Sequence, residues 1–373
     1  MSIKRLARLS GVALVGALAL TACGSDNNTE AGAGTSSSSS AAGSSSAACG
    51  SGSLNAEGSS AQKNAIEEAI SSFGDTCSSA TVNYNPTGSG AGIQQFAAGQ
   101  VDFAGSDSAL NAEKGEVAAA TKRCQGNPAW NLPMVAGPIA VAYNVAGVDK
   151  LVLTPDVTAK IFLGKVKTWD DPAIAKLNSG VKLPSTGIKV FFRSDESGTT
   201  ENFEKYLAGA APSAWTAEPT KKWAGTVGEG REKSAGVSDG VKSTEGGITY
   251  VEWSYAKDNA LGVAQIDNGG GAVELTGDSA GKALTAAKPA GEGNDLKLAL
   301  DYTTKAPGTY PIVLVTYEVV CSKGLDATKT AVEKAFLGHY ASAEVQQGLQ
   351  DIGYAPLPEE VRTKVETAVK AIS

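Results

Sequence analysis

Three short stretches place small and hydroxyl-bearing residues where a strand pattern gives way to a helical one: Gly58-Ser59-Ser60-Ala61, Gly88-Ser89-Gly90-Ala91-Gly92 and Asp195-Glu196-Ser197-Gly198-Thr199-Thr200. Glycine lets a ligand approach the backbone, the hydroxyls donate hydrogen bonds, and the first-turn N–H groups of a helix carry a partial positive charge that favours an anion. Each stretch alone is also an ordinary turn and N-cap. Taken with Arg193 and Asp107 they describe an oxyanion cradle. Arg193 lies four residues before Ser197, and its forked guanidinium suits an oxyanion held at that helix start, with Asp195 to orient it. Asp107 ends the run Val101-Asp102-Phe103-Ala104-Gly105-Ser106-Asp107. A carboxylate there accepts a hydrogen bond from a protonated oxyanion and repels a fully ionised one, which predicts a preference for phosphate over sulfate.

Such groups need a frame of alternating elements. Residues 81–84, 101–104, 139–143, 188–192, 248–251 and 312–320 read as apolar, partly β-branched strands. Between them, Ala65, Ile66, Ala69, Ile70 and Phe73 fall on one helical face, as do Phe203, Tyr206 and Leu207. This alternation predicts an α/β architecture with mainly parallel sheets and no solenoid repeat.

With 373 residues, 42% of them hydrophobic and 19% charged, the chain is long enough for two domains. A net charge of −7 without a basic run argues against nucleic acid as a partner. One histidine and five cysteines, with no C-x-x-C pair, leave too few ligands for an ordinary zinc site, and no metal or cofactor is expected. Lys4, Arg5 and Arg8 precede an apolar run over 9–22, too short for a membrane span and ordered like an export signal. The run ends in Leu20-Thr21-Ala22-Cys23, which resembles a bacterial lipobox, so residues 1–22 are expected to be removed and Cys23 acylated. Residues 23–52 collapse to Ser, Gly, Ala, Asn and Thr and read as a flexible tether. Four cysteines remain, at 49, 77, 124 and 321, and an oxidising exterior suggests two disulfides. Three pairings are open; Cys77 with Cys124 and Cys49 with Cys321 is favoured, the second tying the start of the body to its end.

From about Leu54 to Ser373 the chain resembles the phosphate-binding lipoproteins of phosphate-specific ABC importers, in their actinobacterial form. The likeness is carried by Val101 to Asp107, by Lys165-Val166-Lys167-Thr168-Trp169-Asp170-Asp171-Pro172-Ala173-Ile174, by Arg193 to Thr199, by Gly247-Ile248-Thr249-Tyr250-Val251-Glu252-Trp253 and by Tyr310-Pro311-Ile312. It implies a two-lobed periplasmic-binding-protein fold of type II, with two mixed sheets flanked by helices and the ligand in the interlobe cleft. Lobe I would comprise 53–137 and 310–373 and lobe II 138–309, with crossings near 136–138 and 307–311. The resemblance further implies that Ser60, Ala61 through its N–H, Ser89, Asp107, Arg193, Ser197, Gly198 and Thr199 hold inorganic phosphate. Asp195 supports Arg193 from behind. The family commonly has an aromatic residue at Ala61, which matters little to a backbone donor. Glu196 would add negative charge beside the site and is expected to face solvent. The implied protein is a lipid-anchored monomer on the extracytoplasmic face of the cell membrane, passing phosphate to permease subunits.

Two other readings exist. Gly277-Asp278-Ser279-Ala280-Gly281 matches the G-x-S-x-G nucleophile elbow, and Asp301 and His339 follow in the order used by α/β-hydrolases, so a secreted esterase using Ser279 is one alternative. Against it, Gly269-Gly270-Gly271 and the short run 272–275 make a poor buried strand. The other alternative keeps the binding fold but changes the job to a receptor or carrier for another oxyanion. No Walker motif is present, so any ATP hydrolysis would belong to a partner.

Overall fold

The computed structural model describes residues 49–373; the leader, Cys23 and the tether up to residue 48 lie outside them. Among the described residues no helix is long and apolar enough to cross a membrane. Cys49 is buried in a disulfide and the first strand, Gly52–Gly58, follows at once, so 49–52 are part of the folded body rather than of the tether.

A nine-stranded mixed sheet runs through the body in the order Ala80–Asn85, Gly52–Gly58, Phe103–Ser106, Val313–Cys321, Ala129–Asn144, Gly247–Glu252, Lys189–Arg193 and Glu229–Arg231, with Gly262–Val263 also paired to Ala129–Asn144. Its two ends are parallel and its centre is antiparallel. The expectation of mainly parallel pairing therefore fails at the centre, because hydrophobic runs reveal that strands exist but not which way they point. The Ala129–Asn144 strand joins the two mixed halves: residues 129–138 pair with Val313–Cys321, and 139–144 with Gly247–Glu252. Both central strands are buried along nearly their whole length, which is why their sequences are almost unbroken in apolar character. Pro133 is tolerated because it sits where the register with Thr316 and Tyr317 shifts, at a bulge.

The apolar side chains form two main clusters. One combines residues from 49–135 with residues from 320–372, including Phe73, Phe103, Phe336 and Tyr340. The other is built mostly from residues 136–317. At its heart Phe203 stacks on Tyr250 with ring centroids 4.6 Å apart, and Trp223 lies 5.2 Å from the same tyrosine. This aromatic stack lies directly behind the cradle residues, since the Tyr250 hydroxyl bonds Thr200 and accepts the N–H of Arg193.

The disulfides differ from the favoured pairing: they join Cys49 to Cys77 and Cys124 to Cys321. Strand register explains the correction. Gly52 pairs with Ala80, so three residues further back 49 lies beside 77 at one edge. Cys321 pairs across from Ala129, and Ser322 N–H donates to Pro128, which brings the end of that strand to Cys124.

Glu318 and Glu333 are fully buried, and the Glu333 carboxyl has no hydrogen-bond partner. Burial pushes both up to about 8; the nearby Asp107 adds to the rise for Glu318 while Gln62 opposes it, and Asp102 adds to it for Glu333 while Arg123 opposes it. A folded-state value above the unfolded one favours folding at low pH, and that advantage is lost as pH rises through the folded value. Stability should therefore fall from about pH 5 to above pH 8, by roughly 1 kcal/mol per pH unit for each group inside that window. Urea midpoints across the range check this. Glu333→Gln should flatten the slope, and a midpoint that rises with pH in the unmodified protein would contradict it.

Candidate functional site

Four helix starts meet where the strands end. Ser59, Ser60 and Ala61 follow Gly52–Gly58 and lead into Lys63–Thr76; Ser89 opens Ser89–Ala97; Ser197 caps Gly198–Ala210; Ser234 lies in the first turn of Lys233–Lys242. Asp107 follows the strand Phe103–Ser106 and Arg193 ends Lys189–Arg193. The close approach depends on missing side chains. A Cβ on Gly58 would fall 2.0 Å from the Gly105 carbonyl oxygen of the neighbouring strand, and Gly58 itself has φ +144°, a backbone that other residues rarely adopt.

Asp107 is the hub. Its Oδ1 accepts hydrogen bonds from Ser59 at 2.5 Å and Thr316 at 2.7 Å, and its Oδ2 accepts from Ser89 at 3.0 Å. Ser89 Oγ in turn accepts the N–H groups of Asp107 and Gly198, each at 3.2 Å. Asn202 Nδ2 donates to the Asp107 carbonyl at 2.7 Å, and the N–H of Ala61 donates to Ser59 Oγ at 3.0 Å. Burial pushes the Asp107 carboxyl up to about 6; Glu252 adds to the rise, while the bonds from Ser59, Thr316 and Ser89 oppose it.

A second group centres on Arg193, only 2% exposed. Asp195 accepts from its Nε at 2.7 Å and its Nη2 at 2.5 Å, and Nη1 donates to Ser234 Oγ at 3.2 Å. Ser234 and Ser60 share a hydroxyl–hydroxyl bond of 2.9 Å. Burial alone would lower the guanidinium's value, but the Asp195 hydrogen bonds and charge outweigh it and hold Arg193 above its ordinary range. Burial would raise Asp195, and the Arg193 hydrogen bonds and charge instead hold it low. The arginine is thus locked in its charged form and aimed with one nitrogen.

A third pair completes the cradle: Thr199 Oγ1 donates to Glu252 Oε1 at 2.5 Å. Ser197 Oγ is occupied in capping, accepting the Thr200 N–H at 3.2 Å. The eight residues named from the sequence are therefore brought into neighbouring networks. Ser59, Ser234, Glu252 and Thr316 belong to the same networks and were not named. Ser59 stood in a quoted stretch and Glu252 in a quoted motif. Thr316 carried only the signal of a hydroxyl inside an otherwise apolar strand. Ser234 follows a three-residue exposed strand with no periodic pattern to announce it. Glu196 differs from its expected place: it is half-buried, its Oε1 is 3.2 Å from Lys222 Nζ, and its Oε2 accepts from Gln94 at 3.3 Å.

The hydrolase residues do not meet. Ser279 is the third residue of a capping box with Thr276 and donates to the Glu274 carbonyl. His339 bonds Ser72, and Asp301 accepts from Thr303.

Residues 43–344 match the model of the PBP superfamily domain. The chain is 46% identical over 377 residues to the phosphate-binding protein PstS 3 of Mycobacterium tuberculosis, covering all of both chains, and 45% identical over 363 residues to PstS 2 of the same species, covering 96% of each. In fold it is similar to the periplasmic phosphate-binding protein PfluDING bound with phosphate, with TM-score 0.68 and 20% identity over 85% of this chain and 93% of that one. It is also similar to a Clostridium perfringens substrate-binding protein assigned to phosphate ABC transport, with bound phosphate: TM-score 0.60 and 18% identity over 82% and 100% of the two chains.

One glycine tests the packing of the cradle directly. A Cβ at Gly198 would stand 2.5 Å from the Asp107 Cβ and 2.7 Å from Ser89 Oγ. Gly198→Ala should therefore force the two networks apart, with a destabilisation of roughly 1–3 kcal/mol. Amide exchange should quicken at Asp107 and Gly198 and stay unchanged in the distant helix Ala327–Tyr340. Unaltered exchange at both cradle amides would show that the two networks are not packed this tightly.

Proposed function

The chain belongs to the phosphate-binding proteins of the PBP superfamily, and on that premise we propose that its cradle closes on one inorganic phosphate ion outside the cytoplasm and delivers it to the membrane subunits of an ABC importer. The observation that carries this reading is the buried Asp107 carboxylate, set among hydroxyl and N–H donors from several helix starts. Donors on every side suit the oxygens of a tetrahedral anion. The carboxylate suits the one feature that separates phosphate from sulfate at neutral pH, a proton on an oxygen.

In this reading Ser60, the N–H of Ala61, Ser89, Arg193, Ser197, Gly198 and Thr199 turn from their present partners to the ligand, Asp107 accepts a hydrogen bond from the ligand's proton, and Asp195 keeps Arg193 in line. The two lobes, 53–137 with 310–373 and 138–309, hinge about the central strands. Contacts between them support a closed form: Ser60 with Ser234, the Gly90 N–H with the Glu196 carbonyl at 3.1 Å, and Lys221 with Glu116 at 3.0 Å. The permease would read that closed form. The protein acts as a monomer anchored through an acylated Cys23, as the order of charged, apolar and Leu-Thr-Ala-Cys residues suggests. Binding rather than catalysis fits the separate engagements of Ser279, Asp301 and His339.

Calorimetric titration of the oxidised protein, after unfolding and refolding to strip ligand, should give one-to-one phosphate binding and no sulfate binding at neutral pH. Asp107→Asn should narrow the discrimination between the two anions by roughly 10–100-fold, the value of a buried acceptor facing a ligand proton. Below about pH 6 the Asp107 carboxyl gains its own proton, so selectivity in the unmodified protein should weaken as pH falls through that value. A correctly folded protein that ignores phosphate would assign the cradle to another oxyanion.

A further inference from the structure

Between residues 286 and 300 the chain leaves one apolar cluster for the other and comes back. The helix before this stretch, Gly277–Thr285, packs through Ala280, Ala283 and Leu284 into the cluster built mostly from 136–317. The chain after it returns to the same side, where Asn268 Nδ2 donates to the carbonyls of Tyr302 at 3.1 Å and Thr304 at 3.0 Å. In between, Lys288–Pro289 and Leu298–Ala299 pair as a hairpin separate from the main sheet. Its tip lies on the other cluster, against which the half-buried Leu296 packs. There Asp295 Oδ1 accepts the Asn131 N–H at 2.9 Å and Nδ2 at 2.7 Å, and the Leu296 N–H donates to the Asn131 carbonyl at 3.1 Å.

The tip supplies what Asn131 needs. The strand Ala129–Asn144 gives one edge to Val313–Cys321 along 129–138 and the other to Gly247–Glu252 along 139–144. Over 129–138 the second edge therefore has no strand among the described residues, and its buried backbone groups need other partners. The Met134 and Ala136 carbonyls find them in Gln346 and Ala355, from the same lobe. Asn131, only 1% exposed, finds them in the hairpin, from the other lobe. Three hydrogen bonds and one leucine make this seat. A cavity of about 330 Å³, lined by Leu284, Pro289, Leu298, Pro358 and Val361, lies between the hairpin and the start of the last helix. A close-packed face would resist parting, whereas a seat made of a few polar contacts beside a cavity can be left without dismantling a core.

We propose that the hairpin is a strap across the hinge: docked on Asn131 it holds the lobes closed, and it leaves that seat when they open, so that Asp295 governs how fast phosphate is released. This rests on the phosphate reading and the lobe division above. Asp295 acts through Asn131 and the closed form rather than by touching the ligand.

Two measurements on the oxidised full-length protein test the strap. Amide exchange at Leu296 and Asn131 should slow about tenfold when phosphate is added, while exchange in Gly277–Thr285, from which the hairpin springs, should change little. Equal protection of Leu296 and Asn131 with and without phosphate would overturn the inference, and this arm needs no variant. Asp295→Ala removes the acceptor of two hydrogen bonds. Release of radiolabelled phosphate into an excess of unlabelled phosphate should then quicken about tenfold, with the capture rate nearly unchanged. Release at the unmodified rate from the folded variant would also overturn it and leave the phosphate reading intact. Failure of the folded, unmodified protein to bind phosphate would instead remove the reading on which the inference stands.

Discussion

Asp107 accepts hydrogen bonds from Ser59, Ser89 and Thr316 while Asn202 holds its backbone carbonyl, and these four partners come from four separate stretches of the chain. A carboxylate removed from water is expensive unless its lone pairs are filled, so each partner must be delivered to within a few tenths of an ångström. That requirement organises the sheet. Phe103–Ser106 must run between Gly52–Gly58 and Val313–Cys321 for Ser59 and Thr316 to reach one oxygen from either side. Gly58 must lack a side chain for the strands to close at that point, and Gly105 must lack one to leave room for the side chains of Gln62 and Tyr84. The return of the chain at Val313, far along the sequence from Ser106, is thus part of the site as well as of the fold.

The cradle manages charge mainly through dipoles. Its buried cation, Arg193, is engaged twice by Asp195, which leaves one guanidinium nitrogen donating to Ser234, itself bonded to Ser60. The remaining donors are hydroxyls and first-turn N–H groups. Such groups can bind an anion without attracting it irreversibly, because each supplies a partial charge at fixed geometry and none carries a full countercharge. A carrier that must both capture and release its cargo benefits from that balance. A row of lysines would hold a phosphate as well, but would hold sulfate equally and would discriminate by net charge alone.

How much of this was legible in the chain depended on the kind of signal each residue gives. The hydroxyl and glycine stretches, Arg193 and Asp107 declare themselves because their residue types are poor core formers placed at the ends of apolar runs. Long buried strands such as Val313–Cys321 are legible for the opposite reason. The first strand was not, since Gly52–Gly58 offers only Leu54 and Ala56 as inward apolar residues and otherwise reads like the tether before it. Strand direction and disulfide pairing depend on register between distant segments. A one-to-one offset of 28 residues between the first two strands decides that Cys49 meets Cys77, and nothing local to either cysteine records it.

Glu252 shows where residue-by-residue reading stops. As a charged residue at the end of an apolar strand it has the sequence signature of a solvated terminus, yet it is buried with one oxygen on Thr199 and the other unmatched. Its neighbour in sequence, Val251, packs in the core, and its neighbours in space, Thr199, Asp107 and Arg193, are separated from it by dozens of residues. The fold meets this carboxyl with one hydroxyl, that of Thr199, at the place where Asp107 and Arg193 also stand. Stability and the geometry of the cradle therefore draw on the same buried polar groups, and substitutions that relieve one will be felt in the other.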